Sequence, residues 1–174
     1  MSREQMFAAI VLFGLLVIAV VGDLRRHRIA NLLILSGLAL GLSTQVHAGG
    51  IAGLGSAVLG LLVGFGALLP LYALGGMAAG DVKLMAMVGS FLSPQATLWA
   101  VLFSLIAGGL CGFLLILARG QLSMTLSRYW LMLRARAYMA PAEDEVAGKP
   151  FPYSLAILLG TLCSGYFILL KGGL

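Results

Sequence analysis

Charged residues are scarce in this chain. Only 10% of its 174 residues are Asp, Glu, Lys or Arg, whereas 61% are hydrophobic. The mean hydropathy of +1.06 lies far above that of soluble globular domains, so a water-soluble fold is excluded. A membrane-spanning helix needs roughly 20 apolar residues, which leaves room for a handful of spans and little else. We therefore expect residues 1–174 to form one all-α helix bundle with the lipid bilayer as its partner.

Cysteine is also rare, and its placement excludes several kinds of site. Cys111 and Cys163 stand in apolar surroundings, without a CxxC motif or a neighbouring histidine. We expect two buried thiols, no disulfide, no metal site and no cofactor. The net charge of +5 could indicate nucleic acid, but the basic residues are dispersed between apolar runs, so no nucleic-acid partner is predicted.

Hydropathy predicts about six membrane helices. The fourth is too short to cross an undistorted bilayer unless it begins inside the membrane or is tilted among its neighbours. Basic residues follow the first apolar run instead of preceding it, so that run is predicted to be a retained span, not a signal peptide. The predicted spans are 6–21, 30–46, 51–74, 82–93, 96–118 and 151–170.

The basic residues predict the orientation, because loops rich in Lys and Arg stay on the cytoplasmic side. With the N-terminus outside, only Arg3 and Lys171 of the 11 basic residues face away from the cytoplasm. Segment 119–150 then lies on the cytoplasmic side. Its first part mixes arginine with aromatic and apolar residues, which predicts a helix at the membrane surface, and its acidic second part predicts a solvated loop. Anchoring and contact with a partner both remain open for this segment.

Two of the six acidic residues stand next to apolar runs, each directly after a glycine. Asp23 follows the first run, and Asp81 lies between the third and the fourth. The predicted topology places both at the cytoplasmic boundary, at one depth. Ionisable groups at such positions tend to face the bundle interior and serve a function. Two carboxylates that meet share a proton, so that one can activate water while the other protonates an amide carbonyl.

Composition and topology leave two other interpretations open. The aspartates could be ordinary interfacial residues, with Asp23 compensated by Arg25 or Arg26 and Asp81 by Lys83. They could also be proton-relay carboxylates of a small transporter, although no second polar residue marks a path deep in any span. His27 and His47 are isolated loop residues, for which no catalytic role is predicted.

Each of the two aspartates stands in a distinct local motif, GDLRRHRIAN at 22–31 and AAGDVKLMA at 78–86. These resemble the first and second aspartate motifs of the type IV prepilin peptidase family, whose members are membrane aspartyl proteases of the GxGD type. FPYSLAI at 151–157 resembles the start of the family's last span. Two departures are visible: Ala30 stands where the family usually has proline, and Ala78 replaces the first glycine of GxGD.

The resemblance implies a hydrolase in which Asp23 and Asp81 are the catalytic pair. It implies supporting roles for Gly80, which would let the backbone pass close to the site, and for Lys83, which could equally be a positive-inside anchor. Asn31 is a favoured residue for capping the second helix. No cofactor is implied.

Larger family members carry a cytoplasmic domain with paired CxxC motifs and also methylate the new N-terminus. This chain has only a short first loop, so methyltransferase activity is not expected. It is most similar to the small peptidases of Tad-type (Flp) pili, which implies a bacterial inner-membrane protein that cuts the leader of a prepilin or pilin-like precursor on the cytoplasmic side. The alternative is a non-catalytic membrane component of a pilus or secretion assembly.

Overall fold

The computed structural model describes residues 3–136 and 152–172, and every element within them is helical. The predicted all-α class is confirmed. The acidic loop at 143–145, Lys149 and Phe151 lie outside the described residues. The helices are α1 (Arg3–Arg26), α2 (Asn31–Ala73), α3 (Ala79–Phe91), α4 (Pro94–Ala118), α5 (Leu122–Ala135) and α6 (Tyr153–Gly172).

Helix α2 contains two arms, 31–49 and 51–73, which meet at Gly50. Gly50 has φ +58° and ψ −137°, a conformation that a residue with a Cβ atom rarely adopts. The arms correspond to the predicted spans 30–46 and 51–74. Four helices, α1, α2, α4 and α6, are long and apolar enough to cross a membrane, whereas α3 is not among them.

The two arms of α2 fold back on each other and enclose α3. Along the first arm, Gly37 faces Met87 and Gly41 faces Ser90, so this arm runs parallel to α3. Along the second arm the register runs the other way, because Gly60 faces Gly89 and Gly64 faces Met85. A Cβ atom added at Gly64 would lie 3.1 Å from the carbonyl carbon of Met85, so glycine permits this close approach.

Helix α3 is the most deeply buried element: Leu84, Met85, Met87 and Val88 are fully enclosed. It contacts α1 and α6 as well as α2. Helices α1 and α2 carry many large apolar side chains on their outer faces, among them Ile10, Leu32 and Ile51. Such a surface is unfavourable in water and suits a lipid environment. The short predicted span is therefore a helix that its neighbours bury at every residue from 84 to 91.

The early part of α4 packs antiparallel to α6. Ser164 Oγ donates to the Ala96 carbonyl at 3.0 Å, and Tyr153 OH donates to the Ser104 carbonyl at 3.1 Å. In a membrane, burial of apolar surface does not drive helices together, because lipid is equally apolar. Interhelical hydrogen bonds such as these therefore help to hold the helices in contact. Near Ala96, the rings of Trp99 and Phe167 pack with their centroids 4.8 Å apart.

The described residues of 1–107 and 152–174 form one compact unit, and those of 108–151 form a second. In the second unit, Gly120 (φ +64°) ends α4, and α5 follows. A helix is present here as α5, in which the guanidinium of Arg134 lies 5.2 Å from the centre of the Trp130 ring. Its position at the membrane surface stays a prediction.

The prediction of two buried thiols is wrong. Cys163 is exposed and Cys111 is only half-buried. In a chain of apolar helices, apolar neighbours in the sequence do not imply that a side chain is buried inside the protein. Not every glycine on the second arm of α2 marks a close approach of helices. A Cβ atom at Gly66 would meet no described atom within 4 Å.

Candidate active site

Asp23 lies in the last turn of α1, not in the loop that follows it. The helix continues past the apolar run because Arg25 and Arg26 at its C-terminal end interact favourably with the helix dipole. It stops at His27, whose φ of +49° is left-handed and whose N–H donates to the Asp23 carbonyl at 2.7 Å. The Asp23 side chain is only 8% exposed. Its Oδ2 accepts a hydrogen bond from Ser154 Oγ at 2.6 Å.

Asp81 is the third residue of α3 and is 4% exposed. The cap residue of this helix is Ala78, and a backbone hydrogen bond at Ala78 favours the ionised form of Asp81. A carboxylate three residues after the cap can reach back in this way. Desolvation by burial is stronger, and together with the negative charge of Asp23 it raises the pKa of Asp81 to about 7.

One cavity of about 220 Å³ brings the two aspartates together. Its volume is enough for more than one water molecule. The residues that line it come from the end of α1, the following turn, the start of α2 and the start of α3: Asp23, His27, Arg28, Ile29, Asn31, Ala78, Gly80, Asp81 and Lys83. The predicted candidates Asp23, Asp81, Gly80, Lys83 and Asn31 therefore all line one cavity. His27, for which no role was predicted, lines it as well.

The two motif departures fit the backbone without strain. Ala78 has φ −79° and an extended conformation that any residue adopts, so the glycine it replaces is not needed for a left-handed turn. Ala30 has φ −66° and ψ 126°, values that proline also favours. At Gly80, an added Cβ atom would lie 3.6 Å from the Ile29 side chain, an ordinary contact distance. Steric crowding by described atoms therefore does not require glycine at Gly80.

Asn31 and Lys83 join the two aspartate motifs directly. Lys83 Nζ donates to Asn31 Oδ1 at 3.2 Å. The prediction that Asn31 caps α2 is wrong, because the cap residue is Ala30 and no side chain bonds to the helix end. Asp23 and Asp81 form no ion pair with a described cation. The ion pairs that would make them ordinary, compensated interfacial residues are therefore not found in the described part of the chain.

An apolar groove of about 400 Å³ adjoins the carboxylate cavity, because Asn31 and Lys83 line both. The groove lies between the two arms of α2 and the outer face of α3. Apart from Asn31 and Lys83, its lining is wholly apolar: Ile34, Leu35, Leu38, Leu61, Phe65 and Ala86. The site therefore has a polar cavity with two carboxylates and an apolar extension.

The family model described as the type IV leader peptidase family matches residues 10–113. The chain belongs to this family. The match covers most of α1, all of α2 and α3 and much of α4, and so includes both aspartates that line the cavity. No curated protein and no solved structure gave a significant match to the chain.

Ser154 contacts the Asp23 carboxylate of this candidate site, and the sequence alone did not indicate it. It lies in the FPYSLAI motif, which resembled the start of a last span but carried no assigned role for the serine. Its hydroxyl reaches Asp23 across 131 positions of sequence, a contact that no local pattern predicts. Within the described residues, no three His, Cys, Asp or Glu side chains are grouped as a metal site would require.

Proposed function

We propose that the protein is an aspartyl endopeptidase that cuts the leader from prepilin or pilin-like precursors at the cytoplasmic face of the membrane. Asp23 and Asp81 are its catalytic pair. The observation that carries this proposal is the shared cavity. Two buried carboxylates line it, and it is large enough to hold water. Family membership supports a leader peptidase activity, and two carboxylates are the groups that hydrolyse an amide without a covalent intermediate.

The chemistry follows from unequal protonation of the pair. Protonated Asp81 donates to the carbonyl oxygen of the scissile amide, while ionised Asp23 takes a proton from the attacking water. The water oxygen forms the new bond to carbon, and a tetrahedral intermediate results. Asp23 then passes its proton to the amide nitrogen as the C–N bond breaks, and Asp81 recovers the proton that it lent to the oxygen.

The apolar groove extends this proposal to the substrate. A peptide whose scissile bond lies between the carboxylates must leave the cavity on both sides, and the groove adjoins the cavity at Asn31 and Lys83. Its lining suits apolar side chains next to the cut bond. The junction itself must be extended, because a helical amide is shielded from attack.

The proposed place of action is the cytoplasmic face of the inner membrane. The distribution of Lys and Arg supports an inner-membrane protein with its N-terminus outside, which puts both aspartates near the cytoplasmic face. The short loop between α1 and α2 supports a small Tad-type peptidase without methyltransferase activity. One domain is proposed for the whole chain.

The test is cleavage of a co-expressed Tad-type pilin precursor by the wild type and by Asp23→Asn and Asp81→Asn. We expect each variant to lose processing by a factor of about 100 or more, because each removes a general acid or base. Glu4→Gln is the matched control, since it removes an exposed carboxylate from the far end of α1. Membrane levels of all variants are measured by immunoblot. Processing that persists in either aspartate variant would favour a non-catalytic membrane component.

A further inference from the structure

A single side-chain hydrogen bond distinguishes Asp23 from Asp81 among the described residues. Ser154 Oγ donates to Asp23 Oδ2 at 2.6 Å, within the short range typical of hydroxyl donors to ionised carboxylates. Ser154 is fully buried and Asp23 nearly so. No comparable side-chain donor to Asp81 is found in the described chain. The bond therefore lies inside the site and bears on one carboxylate of the pair.

The position of Ser154 in its helix leaves its hydroxyl available for this role. Hydroxyls inside helices commonly donate to the carbonyl four residues earlier, as Ser43, Ser104 and Thr161 do here. Ser154 is the second residue of α6, so no earlier turn of that helix offers it a carbonyl. Its hydroxyl donates to α1 instead, and α6 thereby becomes part of the carboxylate site.

We propose that Ser154 is a positioning residue that holds Asp23 as the ionised, proton-accepting member of the pair and leaves Asp81 as the acid. This inference rests on the proposed function. A hydroxyl has one proton to donate, and in donating it to Oδ2 it leaves Oδ1 free to accept from the attacking water. The bond also fixes the rotation of the carboxylate, so that Oδ1 keeps one orientation towards the cavity.

Several charged or titratable groups surround the two aspartates, but none of those described here donates a side-chain hydrogen bond to Asp23 as Ser154 does. Arg25 and Arg26 lie on its own helix, and His27 and Arg28 line the cavity from the following turn. From α3, the acid Asp81 and the cation Lys83 line the cavity, and Lys83 donates to Asn31 of α2. From α6, the neighbouring Tyr153 donates to the Ser104 carbonyl. Among these described groups, only Ser154 forms a side-chain hydrogen bond with the Asp23 carboxylate.

The experiment measures the pH dependence of kcat/KM for full-length protein in detergent, with a Tad-type pilin precursor as substrate. Ser154→Ala removes the donor, and we expect the acid limb of the profile to move up by about one pH unit, because the ionised form loses a charge-assisted hydrogen bond. We expect kcat near neutral pH to fall about five- to tenfold. Ser154→Thr keeps a hydroxyl and should keep the position of the limb.

Ser164→Ala is the matched control. Ser164 is a buried hydroxyl of the same helix, but it donates to the Ala96 carbonyl instead of a carboxylate. A purely structural role for Ser154 predicts that both alanine variants lower thermal stability and leave the acid limb in place. That result overturns the inference, as does an equal limb shift in both variants. Failure of the proposed function is distinct, because it appears as activity retained by Asp23→Asn.

Discussion

The end of α1 and the start of α3 each present one aspartate to the same cavity, but they surround it differently. Asp23 lies at the C-terminal end of a helix and accepts a hydroxyl hydrogen bond from α6. Asp81 lies in the first turn of a helix and has a backbone partner at Ala78. Helix dipoles favour an anion at an N-terminus and disfavour one at a C-terminus, by about 0.3–1 kcal/mol. Taken alone, the helix ends would put the charge on Asp81.

Tertiary surroundings reverse that preference. Burial raises the pKa of Asp81 to about 7, which outweighs the helix end and its backbone hydrogen bond. Asp23 has a partner that favours the ionised form, and this partner is supplied by the last helix. The contrast teaches that packing and one distant hydroxyl decide which carboxylate is the proton donor and which is the proton acceptor. The position of each aspartate in its helix matters less.

The largest expected effect that bears on this contrast is the pH dependence of the wild type. Asp81 must be protonated to act as the acid, and its pKa is about 7. Its protonated fraction therefore falls as pH rises, and we expect cleavage to decrease roughly 90-fold between pH 6 and pH 9. The measurement is kcat/KM for a pilin precursor in detergent across this range.

The thermal unfolding midpoint is recorded at each pH as the control, so that loss of folded protein is separated from loss of the acid. A rate that stays level from pH 6 to pH 9 contradicts the assignment of Asp81 as the acid. A rate that rises over this range would reverse the two roles.

The second effect concerns the packing that holds Asp81. A Cβ atom at Gly89 of α3 would lie 2.6 Å from the carbonyl carbon of Gly60 on α2. We expect Gly89→Ala to destabilise the protein by about 1–3 kcal/mol, because backbone cannot yield as a flexible side chain can. Thermal unfolding in detergent and cleavage activity should fall together, since α3 carries the acid.

Gly66→Ala is the matched control for this substitution. It adds the same methyl group to the second arm of α2, where no described atom lies within 4 Å. Its unfolding midpoint should stay the same or rise slightly, because alanine favours helix more than glycine does. Equal loss in both variants would mean that the close approach of α2 and α3 does not hold the site.

The smallest effect tests the apolar extension of the cavity. Leu35 lines the groove, whereas Leu32, on the same arm of α2, does not line it. Both are exposed leucines, so they form a matched pair. We expect Leu35→Ala to raise KM about threefold with little change in kcat, because it removes apolar surface that binds substrate next to the cut bond. Leu32→Ala should leave KM unchanged, and equal effects of the two would contradict substrate binding in the groove.

Much of the fold could be predicted because hydropathy reports burial in lipid directly. The break between the arms of α2 falls at Gly50, between two predicted spans, and α3 was expected to need cover from its neighbours. The extension of α1 through Asp23 was not predicted, because hydropathy ends with the apolar run while the helix does not. Asn31 was predicted as a cap from local preference, but a partner from α3 takes its oxygen.

The site itself could be predicted in part. Asp23 and Asp81 stood out because acidic residues are rare here, and the structure brings both to one cavity. Their catalytic roles stay a prediction. Ser154 could not be singled out, since a serine near a helix start is ordinary and its partner is 131 positions away. Lys83 lines the same cavity, and its contact with Asn31 depends on how α2 folds around α3.

The separation of Asp23 and Ser154 also sets an order of assembly. The arms of α2 and helix α3 are neighbours in sequence, so their contacts can form once that stretch has been synthesised and inserted. The hydroxyl partner of Asp23 arrives only with α6, which is synthesised well after α1, α2 and α3. A nascent chain that stops short of α6 holds both carboxylates but lacks this donor. Completion of the carboxylate site is thus tied to the synthesis and insertion of α6.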